Sequence, residues 1–307
     1  MEIKDFGVEM WMNAYENNCT FNLAETCVKS LTIKELVDLC SDPKKVWDDL
    51  YHMQLTYGAI EGSIPLREGL CGLYDHQMTT NISITHGAIG ANDLVLNAIV
   101  SPGDTVISVL PTYQQLYSIP ESLGANVKIC ELKPENDFMP DLDEMRSYVD
   151  DKTSLICINN PNNPTGALMD EAYLKEIVEI AKSCGAWILC DEAYRGLNHV
   201  ESGTSFTSAM ADLYEKGISV GTFSKTFSLA GLRIGWVCAP ADFIEKINRR
   251  RDYNTISCGM IDDYFATLAI QNKDKMCIRD RVWPFKSWPI SWEPGMKQKF
   301  LFRLCRN

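Results

Sequence analysis

The 307-residue chain carries a net charge of −12, which argues against nucleic acid or an anionic membrane as its main partner, while its 46% hydrophobic share is ample for a buried core. Its length exceeds that of a usual single domain, so a large domain with a smaller companion is expected. Twelve cysteines scattered singly without a CxxC pair, and four isolated histidines, give little support to a disulfide framework or a metal site.

The N-terminus, MEIKDFGVEMWMNAYENN, has acidic residues and no apolar signal-like stretch, and no run in the chain approaches a membrane span. A soluble, cytoplasmic protein with reduced thiols is expected. Residues 1–55 read as a helical arm plus linker. Within them LTIKELVDL predicts a helix capped by Thr32, with Glu35 three residues on.

From about residue 80, short β-rich runs alternate with helical ones. NISIT predicts a strand and HGAIGANDLVLNAIV a helix. DTVISVL predicts a strand before the segment opening PTYQQLYSI, and NVKICEL another. DLDEMRSYV then reads as helix, SLICIN as strand, DEAYLKEIVEIAKSCG as an amphipathic helix ending at Gly185, and AWILCDEA as strand. GISVGTF and RIGWVCAP complete the set. Cys157 and Cys190 lie inside apolar runs, as small buried hydrophobes do. Strands separated by helices predict parallel pairing with crossovers, hence an α/β sheet covered on both faces. Ligands collect at the carboxyl ends of such strands. The loops THGA, PTY, NNPTG, DEAY and TFSK all fall there.

The run GTFSKTFSLAGLRIG places Lys225 among hydroxyls and glycines, with Arg233 eight residues on. A solvated surface lysine needs no such company. Together with NNPNNPTG and DEAY, in this order and spacing, the run resembles the class I/II aminotransferases, the fold-type I pyridoxal-phosphate enzymes, from about Tyr57 to residue 270. That resemblance implies an α/β fold with a mostly parallel central sheet and an incomplete small domain. It divides the chain into an N-terminal arm and small-domain segment (1–55), a large cofactor-binding domain (56–250) and the start of a C-terminal small domain (251–275).

By the same resemblance, the cofactor is pyridoxal 5'-phosphate and Lys225 is its Schiff-base lysine, which abstracts the substrate Cα proton and returns it. Arg233, Thr222 and Ser224 match phosphate-binding positions, with Gly87 and Ala88 presenting backbone N–H groups at a helix start. His86, where many relatives have a small hydroxyl residue, either touches phosphate or packs. Asp191 matches the carboxylate that pairs with the pyridine nitrogen. Tyr194 and Asn163 match the groups on the ring oxygen, and Tyr113 the aromatic stacked on the ring. Without these motifs, Asp191 would read as a cap or salt-bridge partner, Tyr113 as core and NNPNNPTG as a turn-rich loop. Tyr57 matches a tyrosine that reaches the neighbouring subunit's phosphate, so a homodimer is implied. The implied activity is transfer of an amino group between an L-amino acid and a 2-oxo acid. The alternatives are a β-lyase, a cyclase resembling capreomycidine synthase (suggested by RRRDYNTIS and THGA), or a fragment that binds cofactor without turnover. An effector-sensing domain of a transcription regulator fits poorly, because residues 1–55 are too few and too acidic for a DNA-binding domain.

The segment from Met276 differs. It carries seven Lys/Arg against two Asp/Glu and three of the seven tryptophans, and MCIRDR resembles a translated transposon end. Residues 276–307 are therefore expected to be non-native; a disordered or partner-binding tail is the alternative. Arg303 and Arg306 lack the pattern that flanks the family's carboxylate-gripping arginine.

Overall fold

A computed structural model describes residues 2–276, apart from 17, 21–25, 28 and 198–206. The tail from 277 lies outside the described residues, whereas Met276 is buried in the core. Helices α1 (Gly7–Tyr15), α2 (Ile33–Asp38), α3 (Pro43–Tyr51) and α4 (Ile64–Cys71) lead to strand β1 (Ile82–His86). The predicted cap forms: Thr32 accepts from the Glu35 N–H, and Glu35 reaches back to the Thr32 N–H at 2.7 Å.

Next come α5 (Gly87–Ile99), β2 (Thr105–Leu110), α6 (Gln115–Ser122), β3 (Asn126–Glu131), α7 (Leu142–Ser147) and β4 (Thr153–Asn159). They are followed by α8 (Glu171–Cys184), β5 (Trp187–Asp191), α9 (Met210–Leu213), β6 (Gly217–Thr222) and β7 (Ile234–Cys238), then α10 (Ala241–Arg251) and α11 (Met260–Gln271). Gly185 closes α8 in the left-handed conformation that favours glycine.

The seven strands form one sheet in the order β1-β7-β6-β5-β4-β2-β3. Alternate residues point to opposite faces: Val106, Leu155 and Leu189 pack on the side of α5, α6 and α10, and Ile107, Ile156 and Ile188 on the side of α8. Both faces are covered, as the apolar runs require. Cys157 and Cys190 are buried, as their apolar surroundings predict.

The sheet is mostly parallel, as expected, with one strand running the other way. RIGWVCAP, which forms β7, pairs antiparallel with both β6 and β1, whereas the other pairings in the sheet are parallel. Only a loop and a short 3-10 turn (Ala230–Leu232) join β6 to β7, so no helical crossover reverses the chain. The loop therefore stays at the carboxyl end of β6. Thr222 faces Gly235 and His86 faces Ile234, which brings the ends of β1 and β6 and the start of β7 together.

Candidate active site

Lys225 lies on that loop between Phe223 and Phe227, whose buried rings are 4.7 Å apart. These two anchors bury the loop's apolar side and leave Lys225 half-buried beyond the carboxyl end of β6. Its amine is 3.0 Å from the Thr26 hydroxyl and 3.2 Å from the Cys27 thiol, and lies 5.8 Å from the centre of the Tyr194 ring. Thr26 also meets the Tyr194 hydroxyl at 2.8 Å. Burial is the main cause that raises the Tyr194 phenol's pKa, opposed by Lys225, so Tyr194 remains a protonated donor near neutral pH.

Asp191 ends β5 and is 4% exposed. Asn92 donates to one carboxylate oxygen at 2.7 Å and the Ala193 N–H to the other at 3.0 Å. Burial nevertheless raises the Asp191 pKa from its ordinary value, against the opposing pull of those donors and of Lys225. Beside it, Asn159 donates to the Asp191 carbonyl at 2.7 Å and accepts the Asn163 N–H at 2.6 Å, which seats the NNPTG loop on the strand ends. Tyr113 donates to Glu9 of α1 at 3.2 Å and packs on Phe6. Burial first, and Glu9 second, raise its phenol pKa.

A second cluster suits an anion. Gly87 and Ala88 open the 13-residue helix α5, whose first N–H groups have no partner within the helix. Gly87 has φ +67, and a Cβ there would lie 3.0 Å from an Arg233 guanidinium nitrogen. At Gly235 a Cβ would overlap the backbone of Gly87 and Ala88, so only glycine lets β7 pass this close. Arg233 contacts the Ser224 hydroxyl at 3.4 Å, and Ser224 lies 3.0 Å from the Thr222 hydroxyl. A helix start, two hydroxyls and a guanidinium thus converge at the loop that carries Lys225.

The structure accordingly brings together Lys225, Tyr194, Asp191, Tyr113, Asn163, Thr222, Ser224, Arg233, Gly87 and Ala88 along the strand ends. It leaves Tyr57 apart, 78% exposed between α3 and α4. His86 packs toward Cys258, with a ring nitrogen 3.7 Å from the sulfur; burial and then Arg251 push its pKa down. A cavity of about 630 Å³ between α3 and α11 is lined by none of the predicted site residues. Sequence reasoning missed Asn92, Thr26, Cys27 and Glu9. Asn92 left a trace, a polar residue on the apolar face of α5. The others left none.

The family model for aminotransferase class I and II matches residues 47–276. A crystal structure of a PLP-dependent aminotransferase from Streptococcus suis 89-1591 is 43% identical, with a TM-score of 0.85 over 90% of this chain and 73% of that one. Capreomycidine synthase from Streptomyces vinaceus is 34% identical over 195 residues, 64% of this chain and 49% of that protein. The probable N-succinyldiaminopimelate aminotransferase of Mycobacterium tuberculosis is 28% identical over 220 residues, 69% of this chain and 55% of that protein. The chain thus spans about half the length of the curated relatives it matches. It belongs to the aminotransferase class I and II family.

Proposed function

We propose that the chain binds pyridoxal 5'-phosphate and carries the cofactor half of an aminotransferase that moves an amino group between an L-amino acid and a 2-oxo acid. The observation that carries this reading is the meeting of a lysine amine, a phenol and a buried carboxylate beside an anion cradle. The residues fit the cofactor. Asp191 is a buried carboxylate with no ion-pair partner within 4 Å among the described residues, and a protonated ring nitrogen would supply one. The α5 start, Thr222, Ser224 and Arg233 would hold the phosphate.

When bound, the cofactor supplies an electron sink that acidifies the substrate's Cα–H bond. Lys225 provides the nucleophilic amine and then the base for that proton. Asp191 would keep the ring nitrogen charged, and Tyr194 and Asn163 would hold the ring oxygen. Tyr113 would stack on the ring. Residues 56–250 form the large domain in this reading, with 1–55 and 251–275 belonging to the smaller one. The protein works in the cytoplasm as a homodimer, with Tyr57 completing its neighbour's site. The ten described cysteines, all free, and the exposed apolar run of Leu55, Tyr57, Ile60 and Ile64 support these points.

The test is the absorption spectrum of the purified chain with pyridoxal phosphate, before and after L-amino acids are added. A visible band lost in Lys225→Ala, and converted by one amino donor to the pyridoxamine form, supports the reading. No Lys225-dependent band would sink it.

The similarity to capreomycidine synthase favours a second reading, a cyclase on the same scaffold. A cyclised product without formation of the pyridoxamine form would select it.

A further inference from the structure

We propose that Thr226 is a positioning residue for the Tyr194–Lys225 pair, acting through the main-chain carbonyl of Arg195; this rests on the cofactor reading above. Thr226 directly follows Lys225, and Arg195 directly follows Tyr194. The Thr226 hydroxyl donates to the Arg195 carbonyl at 2.7 Å in a buried hydrogen bond that spans 31 residues. Thr226 is 2% exposed, so water does not compete for that carbonyl.

The other end of this strut is itself fixed. The Arg195 side chain, 9% exposed, donates from Nε to the Thr207 carbonyl at 2.7 Å and from Nη2 to the Leu73 carbonyl at 2.8 Å. Glu192 stands 3.8 Å away, and the guanidinium lies over the Tyr74 ring. Two separate chain segments, with Glu192 of its own turn, thus hold Arg195, and Arg195 holds the loop that carries Lys225.

The consequence is chemical. A phenol that donates to the cofactor's ring oxygen stabilises the negative charge there, so the nitrogen joined to Lys225 releases its proton at lower pH. The strength of that donation depends on where Tyr194 sits relative to Lys225. Thr226 sets that spacing without touching either group's reacting atom.

The experiment is a spectrophotometric pH titration of the visible band in the full chain loaded with pyridoxal phosphate. In Thr226→Val the midpoint is expected to rise by about half a pH unit. Thr226→Ser, which keeps the hydroxyl, is expected to return it to the parent value. In a Tyr194→Phe background, Thr226→Val is expected to add no further shift. Should the valine variant fail to fold, Thr226→Ala makes the same comparison without a methyl pressed against the carbonyl. A midpoint unchanged by Thr226→Val or Thr226→Ala, a serine variant shifted as far as they are, or a shift that persists without the Tyr194 hydroxyl would each overturn the proposal and leave the cofactor reading standing. A parent chain without a Lys225-dependent band would overturn both.

Discussion

Asp191 illustrates at the scale of one residue how a buried charge is held at the expense of stability. Its folded-state pKa is raised above the ordinary 3.8, chiefly by burial. A carboxyl raised in this way favours the folded state fully below its unfolded pKa, and that contribution is lost as pH climbs through the folded value. In the cofactor-free chain, ionised Asp191 therefore opposes folding at neutral pH. Asp191→Asn is expected to melt higher than the parent at pH 7, with the difference shrinking toward zero as pH falls to about 3.8 and below. The same variant should lose most of its transaminating half-reaction. Thermal melts at the two pH values, beside the spectral assay, check both halves; a variant that melts lower than the parent at pH 7 would contradict the assignment. Asp191 stands out in the sequence because it ends an apolar strand run. Its amide donor Asn92 lies 99 residues away in the chain, which no local pattern reveals.

Among the elements, the α5–β7 contact is where packing and the anion cradle meet. Gly235→Ala would drive a Cβ into the backbone of Gly87 and Ala88, where no side chain can swing aside. Its expected cost is about 3 kcal/mol, with weaker binding of pyridoxal phosphate. Gly231→Ala, whose added Cβ meets nothing within 4 Å, should stay within about 0.5 kcal/mol of the parent. Urea denaturation of the two variants side by side measures the contrast. At the other end of the chain, Thr32→Ala removes one arm of the α2 capping box and should cost about 1 kcal/mol, recovered by Thr32→Ser. Cap and helix were both legible, because a capping box is contained within four residues. The direction of β7 was not legible, because alternation marks a strand but not its sense, which the connection decides.

Over the whole molecule, the dimer reading makes Tyr57 and Lys225 parts of one site drawn from two chains. Mixing Tyr57→Phe with Lys225→Ala should then restore native-like sites, since a mixed pair holds one site with both side chains. Recovered cofactor affinity on mixing, absent from either variant alone, is the expected result; none would confine the site to a single chain. By itself the sequence determined the element types, the two buried sheet faces and the loops at the strand ends, since each is written in a period of two or 3.6 residues or in a turn a few residues long. Tertiary structure alone decided that Thr26 and Cys27 reach Lys225 from nearly 200 positions away, that Asn92 meets Asp191, and that β7 runs backward. Those outcomes depend on which distant segments come together when the core closes, and a free energy shared among distant partners leaves no periodic trace in any one segment.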